Sequence, residues 1–554
     1  LLPGGLEAYF RPKKFLFMKT KNIIQIATLM SMLTFSGLAQ QSKETVTELS
    51  KKAQKGYFYG LETGEDLKLL YKIPGDKNKN EISYEQYQFD KNLTFKGAQP
   101  TSENKTGNAD YTLTCISATV GGGNSFNVLS MKLSLSKSVW ERKWDFERQK
   151  YIWGKRLSSE VVKPKNGNDK YKGFAAYEND STGELMVVAS YDSDKKDVDN
   201  QFVILYVSTD LDVKETQVPL TGKYSLVYTG QLENGNVFIV LAPKKGATDI
   251  KKYMYVEYSN KGALLYKTEF ASPSANMIVM DAAEASGSLY LIGMSTKGKG
   301  AYNEVFTDYA PINNPSYTDA ANFQQFKYEK QAYAGEAAFF HLVKIEKGKV
   351  AFINSTPVEQ FKALVKTPPS QKKSTPYKGK RLSIQQFYIT PSGDYLVAGQ
   401  LKNKKISQNS VTYLYQDIIC LHFDSKGQLL AQYAVEKINN DSKSEMFQTR
   451  QHFYPSKDGK SVYWELLEVK GSKGYESFLD AYNNNPTFHA NFFPRIAKIS
   501  TNPTSLSNFT VLGKGDFLIY KNHSAVFDEK ENSKIYFGHD EGWKKLWLGK
   551  YVFE

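Results

Sequence analysis

Beyond residue 40 the apolar positions come in short runs of Val, Ile, Tyr, Phe and Thr, with almost no trace of the 3.6-residue rhythm of an amphipathic helix. Breaks rich in Gly, Asn, Asp and Ser separate the runs, the signature of strands joined by tight turns. The runs recur as a module: strand, Gly-containing turn, strand, variable polar insertion, strand, a Lys-Gly or Asp-Leu-Asp turn, and a closing strand. Residues 174–220, 224–270, 382–436 and 447–512 show it well, and 286–354 is a fifth with a long insertion. Weaker modules cover 56–97 and 111–146, and another ends the chain at 525–553. Gly and Asp at the turns supply the positive φ angles or side-chain hydrogen bonds that short hairpins need.

Units of about 45 to 50 residues with four short strands each have the period of a β-propeller blade. The expected fold is an all-β propeller of seven or eight blades, the number depending on whether the first and last modules are whole or combine to close the ring. In such a blade the loop between second and third strands emerges on the same face as the link to the next blade. The insertions 297–336 and 470–494 and the blade-to-blade link 355–381 then decorate one face, while the other keeps tight turns. Loops aimed by a rigid scaffold carry function, so the decorated face is the candidate binding surface.

The two insertions share a passage that no strand pattern requires. The first reads Tyr302-Asn-Glu-Val-Phe306-Thr-Asp308-Tyr309, then Asn313-Asn314-Pro315-Ser-Tyr317, then Ala321-Asn322-Phe323. The second reads Tyr475-Glu-Ser-Phe478-Leu-Asp480-Ala-Tyr482, then Asn484-Asn485-Pro486-Thr-Phe488, then Ala490-Asn491-Phe492. Candidate contact residues are Tyr302, Phe306, Asp308, Tyr309, Asn314, Tyr317 and Asn322, with Tyr475, Phe478, Asp480, Tyr482, Asn485, Phe488 and Asn491 as their counterparts. Rings that stack, beside amides and carboxylates that hydrogen-bond in several directions, suit sugars and also suit protein contacts. Two arrangements fit: a composite site in which the loops lie side by side on the rim, or loops that pack on each other or on the propeller mouth. Asn-Asn-Pro is turn chemistry under either.

Composition adds a leader and removes several partners. Met18 opens a bacterial-style export signal, with Lys19 and Lys21 before an apolar core at 23–35 and small residues at 36–39 ahead of a cut before Gln40. Residues 1–17 read as an over-extended reading frame, and a buried N-terminal helix is the alternative for the apolar core. That core falls short of the roughly 20 residues a bilayer span needs, so no membrane insertion is expected after cleavage, and the mature chain, 40–554, reads as one propeller domain in the periplasm or outside the cell. The chain is basic, with 72 Lys and Arg against 58 Asp and Glu, a net charge of +14. The excess is Lys, while Arg, which reads phosphates and bases bidentately, is scarce, so no nucleic-acid surface is expected. The one basic cluster, Lys362, Lys366, Lys372, Lys373, Lys378, Lys380 and Arg381, lies in a Pro- and Ser-rich stretch that reads as a solvated link. Cys115 and Cys420 stand far apart in apolar strand-like runs and read as buried free thiols, with pairing as the alternative.

Candidate chemistry is sparse. Pro455-Ser-Lys-Asp-Gly-Lys-Ser-Val-Tyr-Trp464 resembles the blade motif of TolB-type propellers, a Pro-x-x-Asp-Gly-Lys turn entering an apolar strand, and Pro391-Ser-Gly-Asp394 departs from it in order. The whole chain resembles exported propeller proteins of the Bacteroidota, a resemblance that implies the fold and brings no activity with it. Residues 456–464 come near the Ser-x-Asp-x-Gly-x-x-Trp turn of sialidase propellers but misplace Gly and Trp. Zinc, nucleophile-elbow and phosphate-loop motifs are missing. His341 and His422 lie in third-strand runs and read as satisfied sheet residues. No cofactor is implied and no ligand spacing implies a metal, with Ca²⁺ in an Asp- and Asn-rich loop left open. The expectation is a non-catalytic binding or scaffold module for a protein or an envelope glycan; the alternative is a polysaccharide-acting hydrolase or lyase with paired carboxylates at the central channel.

Overall fold

The computed structural model describes residues 42–73, 81–104, 116–306, 337–469 and 492–554, with short breaks at 123–124, 136–141, 153–154, 163–170, 180–183, 193–198, 209–211, 372–374, 381, 408–409, 439–444, 446, 520–524 and 541. These residues form eight sheets built on antiparallel meanders, seven of them in chain order, with a short extra strand added in three. We number them blades 1 to 8: 57–104, 116–162, 172–217, 224–271, 278–357, 382–435, 450–511 and 517–552. Among the described residues the only α-helix is the single turn Tyr302–Val305, and no helix is long and apolar enough to cross a membrane.

The fold is an eight-bladed β-propeller. The first strands of blades 4, 5, 6 and 7 run beside one another, which makes them the inner strands. Blade 8 lacks an outer strand of its own. Ser42–Glu48 supplies it, pairing antiparallel along the whole of Lys545–Val552 from Ser42 opposite Tyr551 to Glu48 opposite Lys545. Glu44 fixes this register by accepting the Trp547 indole N–H at 3.0 Å and the Gly513 amide at 3.1 Å. The first and last segments of the chain thus combine in one blade.

The core lies between blades. One apolar cluster joins blades 3 and 4, one joins 4, 5 and 6, one joins 6 and 7, one joins 7 and 8, and one joins 8 to 1. The second strands Val237–Pro243 and Ser461–Val469 are buried at every position, because both of their faces meet a neighbouring blade. Each large side chain removed from water there contributes about 1.5–3 kcal/mol.

Turn chemistry explains the motif at 455–461. Gly459, at φ +70°, donates its N–H to Ser456 O, while Asp458 accepts the Ser456 hydroxyl at 2.7 Å and the Lys460 amide at 3.0 Å. In the reordered turn at 391–394, Asp394 instead leaves the turn and accepts from His422 at 3.1 Å.

Three boundaries differ from the sequence pattern. Blade 5 opens on Ile278–Ala285, before the expected start at 286, since Asp281-Ala-Ala-Glu-Ala285 has no strand alternation to reveal it. Blade 2 extends to 162 through two strands rich in charge. The second insertion ends at 491, because Phe492, Phe493 and Pro494 already belong to the strand Phe492–Thr501.

Candidate functional site

The insertions stand where the meander puts them. Residues 297–336 link Ser288–Thr296 to Ala337–Glu346, and the second insertion links Ser461–Val469 to Phe492–Thr501, each a second-to-third-strand connection. Of the candidate contact residues only Tyr302 and Phe306 are described, and both correct the expectation. They are 0% and 5% exposed, with rings 5.2 Å apart, inside the apolar cluster shared by blades 4, 5 and 6. They anchor the stem of the loop and do not face a ligand. Asp308, Tyr309, Asn314, Tyr317, Asn322, Tyr475, Phe478, Asp480, Tyr482, Asn485, Phe488 and Asn491 lie outside the described residues. The stem leans toward blade 4: Glu304 pairs with Lys245 at 2.5 Å, and Asn303 Oδ1 accepts the Lys245 amide. Blade 7, which carries the second insertion, lies on the other side.

The basic link is not a solvated loop. It forms a 3-10 turn, Val358–Leu364, and a short strand, Val365–Lys366, that pairs in parallel beyond the outer strand of blade 6. Phe361 and Tyr377 are fully buried, and Gln432 clamps both stretches, donating to Phe361 O at 3.0 Å and accepting the Tyr377 amide. Lys366 then reaches Thr504 O and Ser370 the Asn508 side chain, both on blade 7. Lys362, Lys378 and Lys380 remain exposed, while Lys372, Lys373 and Arg381 lie outside the described residues.

Buried ionisable groups are committed to internal partners. His341 lies between the Ser295 and Ser355 hydroxyls at 2.7 and 2.8 Å, and burial pushes its pKa down to about 4. His422 bridges Tyr433 and Asp394, each at 3.1 Å, and burial lowers its pKa despite the carboxylate. Cys420 is buried and free, and burial raises its thiol well above the usual range; Cys115 lies outside the described residues. Asp281, half-buried, accepts its neighbour's amide at 2.8 Å and the Phe387 amide at 2.9 Å, tying blade 5 to blade 6, and burial raises its pKa to about 6.

Two acids on the second strand of blade 7 are fully buried. Glu468 pairs with Arg495 at 2.9 Å, and burial raises its pKa in spite of that cation. Glu465 meets Lys534 at 2.9 Å, His452 at 2.9 Å and the Tyr536 hydroxyl. Burial alone would raise its pKa, but Lys534, His452 and Tyr536 outweigh it and hold the carboxyl at about 2.

A cavity of about 390 Å³ opens between the inner strands of blades 4 and 5. Its walls include Tyr177, Tyr228, Phe238, Leu289, Glu233 and Glu284. Glu233 and Glu284 flank first-to-second-strand turns, so the cavity sits at the end opposite the insertions. Glu284 accepts the Glu233 amide, and burial raises its carboxyl, as do the charges of Glu233 and Glu257. Glu257 is 6% exposed and accepts from Asn236 at 2.9 Å and from the Tyr255 hydroxyl at 2.7 Å. Among the described residues no group of three or more His, Cys, Asp or Glu side chains is arranged to hold a metal ion. Sequence reasoning missed Glu257, Glu284 and Glu465. Their signal is an acid inside an apolar strand, as in Tyr255-Val-Glu-Tyr258 and Tyr463-Trp-Glu-Leu466.

No family model matches this chain, and no curated protein matches it in sequence. Solved structures resemble it at low similarity. A lignostilbene dioxygenase from Pseudomonas brassicacearum aligns at 10% identity over 80% of this chain and 94% of its own, with a TM-score of 0.34. An α-L-arabinofuranosidase from Fusarium graminearum aligns at 10% over 69% and 93%, with a TM-score of 0.25. A β-fructofuranosidase from Bombyx mori aligns at 7% over 96% and 98%, with a TM-score of 0.22. Likenesses at these TM-scores carry no statement about activity, and the fold rests on the sheet topology.

Proposed function

We propose that this protein is an exported, non-catalytic binding or scaffold propeller, periplasmic or extracellular, that recognises a protein or an envelope glycan on its insertion face. One observation carries the reading: two related insertions leave the same face of a ring whose buried histidines and acids are committed to internal partners. Such a ring is rigid, and rigid scaffolds use their loops for recognition. The stem at Tyr302 and Phe306 supports the same division of labour, with rings that fix the loop at its base. Nucleic acid and membrane insertion are not part of this reading.

Affinity capture from the native envelope with the tagged mature protein tests it. A specific partner should be retained by the parent and lost from the Tyr309→Ala/Tyr482→Ala variant at unchanged melting temperature. A variant that melts several degrees lower yet binds equally well per folded molecule would leave the insertions as a structural clasp.

A second reading, a polysaccharide-acting hydrolase or lyase, is favoured by Glu257 and Glu284 gathering beside the cavity, since paired carboxylates are what glycosidic cleavage uses. Reducing ends released from envelope polysaccharides by the parent, and not by Glu257→Gln or Glu284→Gln, would establish it in place of the first.

A further inference from the structure

We propose that the cavity between blades 4 and 5 is a binding site for a small organic cation, an amine or guanidinium carried on an apolar body, on the face opposite the insertions. Its size is the first reason: about 390 Å³ lies within the range of small-molecule pockets.

The second reason is its floor. Phe238 lies in a ladder of rings, 5.9 Å from Tyr228 at 23° and 5.9 Å from Tyr255 at 27°. Gly230 makes room for this ladder, because a Cβ there would stand 2.6 Å from the Phe238 ring. Aromatic walls of this kind attract cations and cover apolar groups.

The third reason is a charge that the fold leaves uncompensated. The two buried acids of blade 7 carry their own cations, Lys534 for Glu465 and Arg495 for Glu468. Beside the cavity, the buried Glu257, the half-buried Glu284 and the exposed Glu233 pair with no Lys or Arg among the described residues. The hydrogen bonds they accept come from neutral groups: the Glu233 amide, Asn236 and Tyr255. Glu257 and Glu284 repel each other at a low-dielectric wall, with the charge of Glu233 added from the solvent side, and a ligand ammonium or guanidinium supplies the positive partner. Glu284 lines the cavity and is half-buried, so it is the residue placed to meet that charge.

The site is separate from the insertion face, so its failure would leave partner capture untouched. Isothermal titration and ligand-observed NMR on the mature protein at neutral pH test it, with benzylamine and benzamidine as cationic probes and benzyl alcohol and benzoate as neutral and anionic counterparts. The two cations should bind saturably and the counterparts should not, and Glu284→Gln should weaken the cations about tenfold or more. Glu284 is half-buried, so this variant keeps the fold, and an unchanged melting curve confirms that. Equal binding of benzyl alcohol, cation binding that Glu284→Gln leaves intact, or no binding by either cation would each overturn the proposal.

Discussion

The seam between blades 7 and 8 and the seam between blades 4 and 5 solve one problem in opposite ways. At the 7–8 seam a fully buried carboxylate, Glu465, is ringed by Lys534, His452 and Tyr536, and the Tyr454 and Phe553 rings stack 4.6 Å apart. At the 4–5 seam the contacts are apolar, with Met277, Ile278 and Tyr255 buried and the Tyr253 hydroxyl donating to Ala275 O and Met277 O. There the acids carry no cation and a cavity remains. Blades 4 and 5 and blades 7 and 8 are each consecutive in the chain, so a short link holds each pair close. Blade 8 must be assembled from segments some 500 residues apart, Val46 opposite Trp547. Directional contacts discriminate among registers where apolar ones do not, and at the closing strand Glu44 supplies them through Trp547 and Gly513.

The largest way to break this comparison is to remove the closing strand. Deleting residues 42–48 leaves Lys545–Val552 as an unpaired edge. The expected outcome is loss of the cooperative unfolding transition or aggregation on refolding, read by denaturant titration and light scattering. A stable, cooperative monomer without this strand would contradict the account of closure.

Next in size is Glu465→Gln, which strands Lys534 without its carboxylate. The expected cost is about 3–5 kcal/mol, with a good part recovered in Glu465→Gln/Lys534→Met, because the penalty belongs to the uncompensated charge. Equal destabilisation in the double variant would reduce the network to packing.

The 7–8 seam and the interior of blade 5 also separate by pH. Glu465 is depressed to about 2, so its contribution is present above its unfolded value of about 4.3 and is lost as the pH falls toward 2, on the order of 3 kcal/mol. His341, in blade 5, is depressed to about 4, so the unfolded chain takes up its proton first and stability is lost as the pH falls from about 6.5 toward 4. Glu465→Gln should flatten the lower limb of the stability profile and His341→Gln the upper one, as measured by melting temperature against pH. A single limb removed by either variant would contradict the separation.

The smallest effect sharpens the 4–5 seam. Gly230→Ala pushes a methyl into the Phe238 ring, which two neighbouring tyrosines hold in place, at an expected cost of about 1–3 kcal/mol by denaturant titration. A neutral result would mean that the ladder yields and that the cavity is softer than the geometry implies.

Strand-and-turn units are legible in the sequence wherever a positive-φ glycine and an apolar run coincide, as at Gly393 and Gly459. The closing strand Ser42–Glu48 is hidden by its polar composition, which an outer strand tolerates because one of its edges is unpaired. Composition also misleads at 358–381, where two buried rings, Phe361 and Tyr377, decide the packing of a segment that reads as lysine-rich and solvated. The decorated face follows from meander parity alone. The acids at the cavity do not, because Glu257 on the third strand of one blade acts through its charge on Glu284 on the first strand of the next, and no local pattern links the two.

The central claim, recognition by loops on a rigid ring, is tested most directly by replacing residues 307–336 and 470–491 with short Gly-Ser turns and repeating the envelope capture. The account predicts that the ring melts cooperatively within a few degrees of the parent, since loop length costs little, and that the captured partner is lost. An intact ring that still captures the same partner would contradict it.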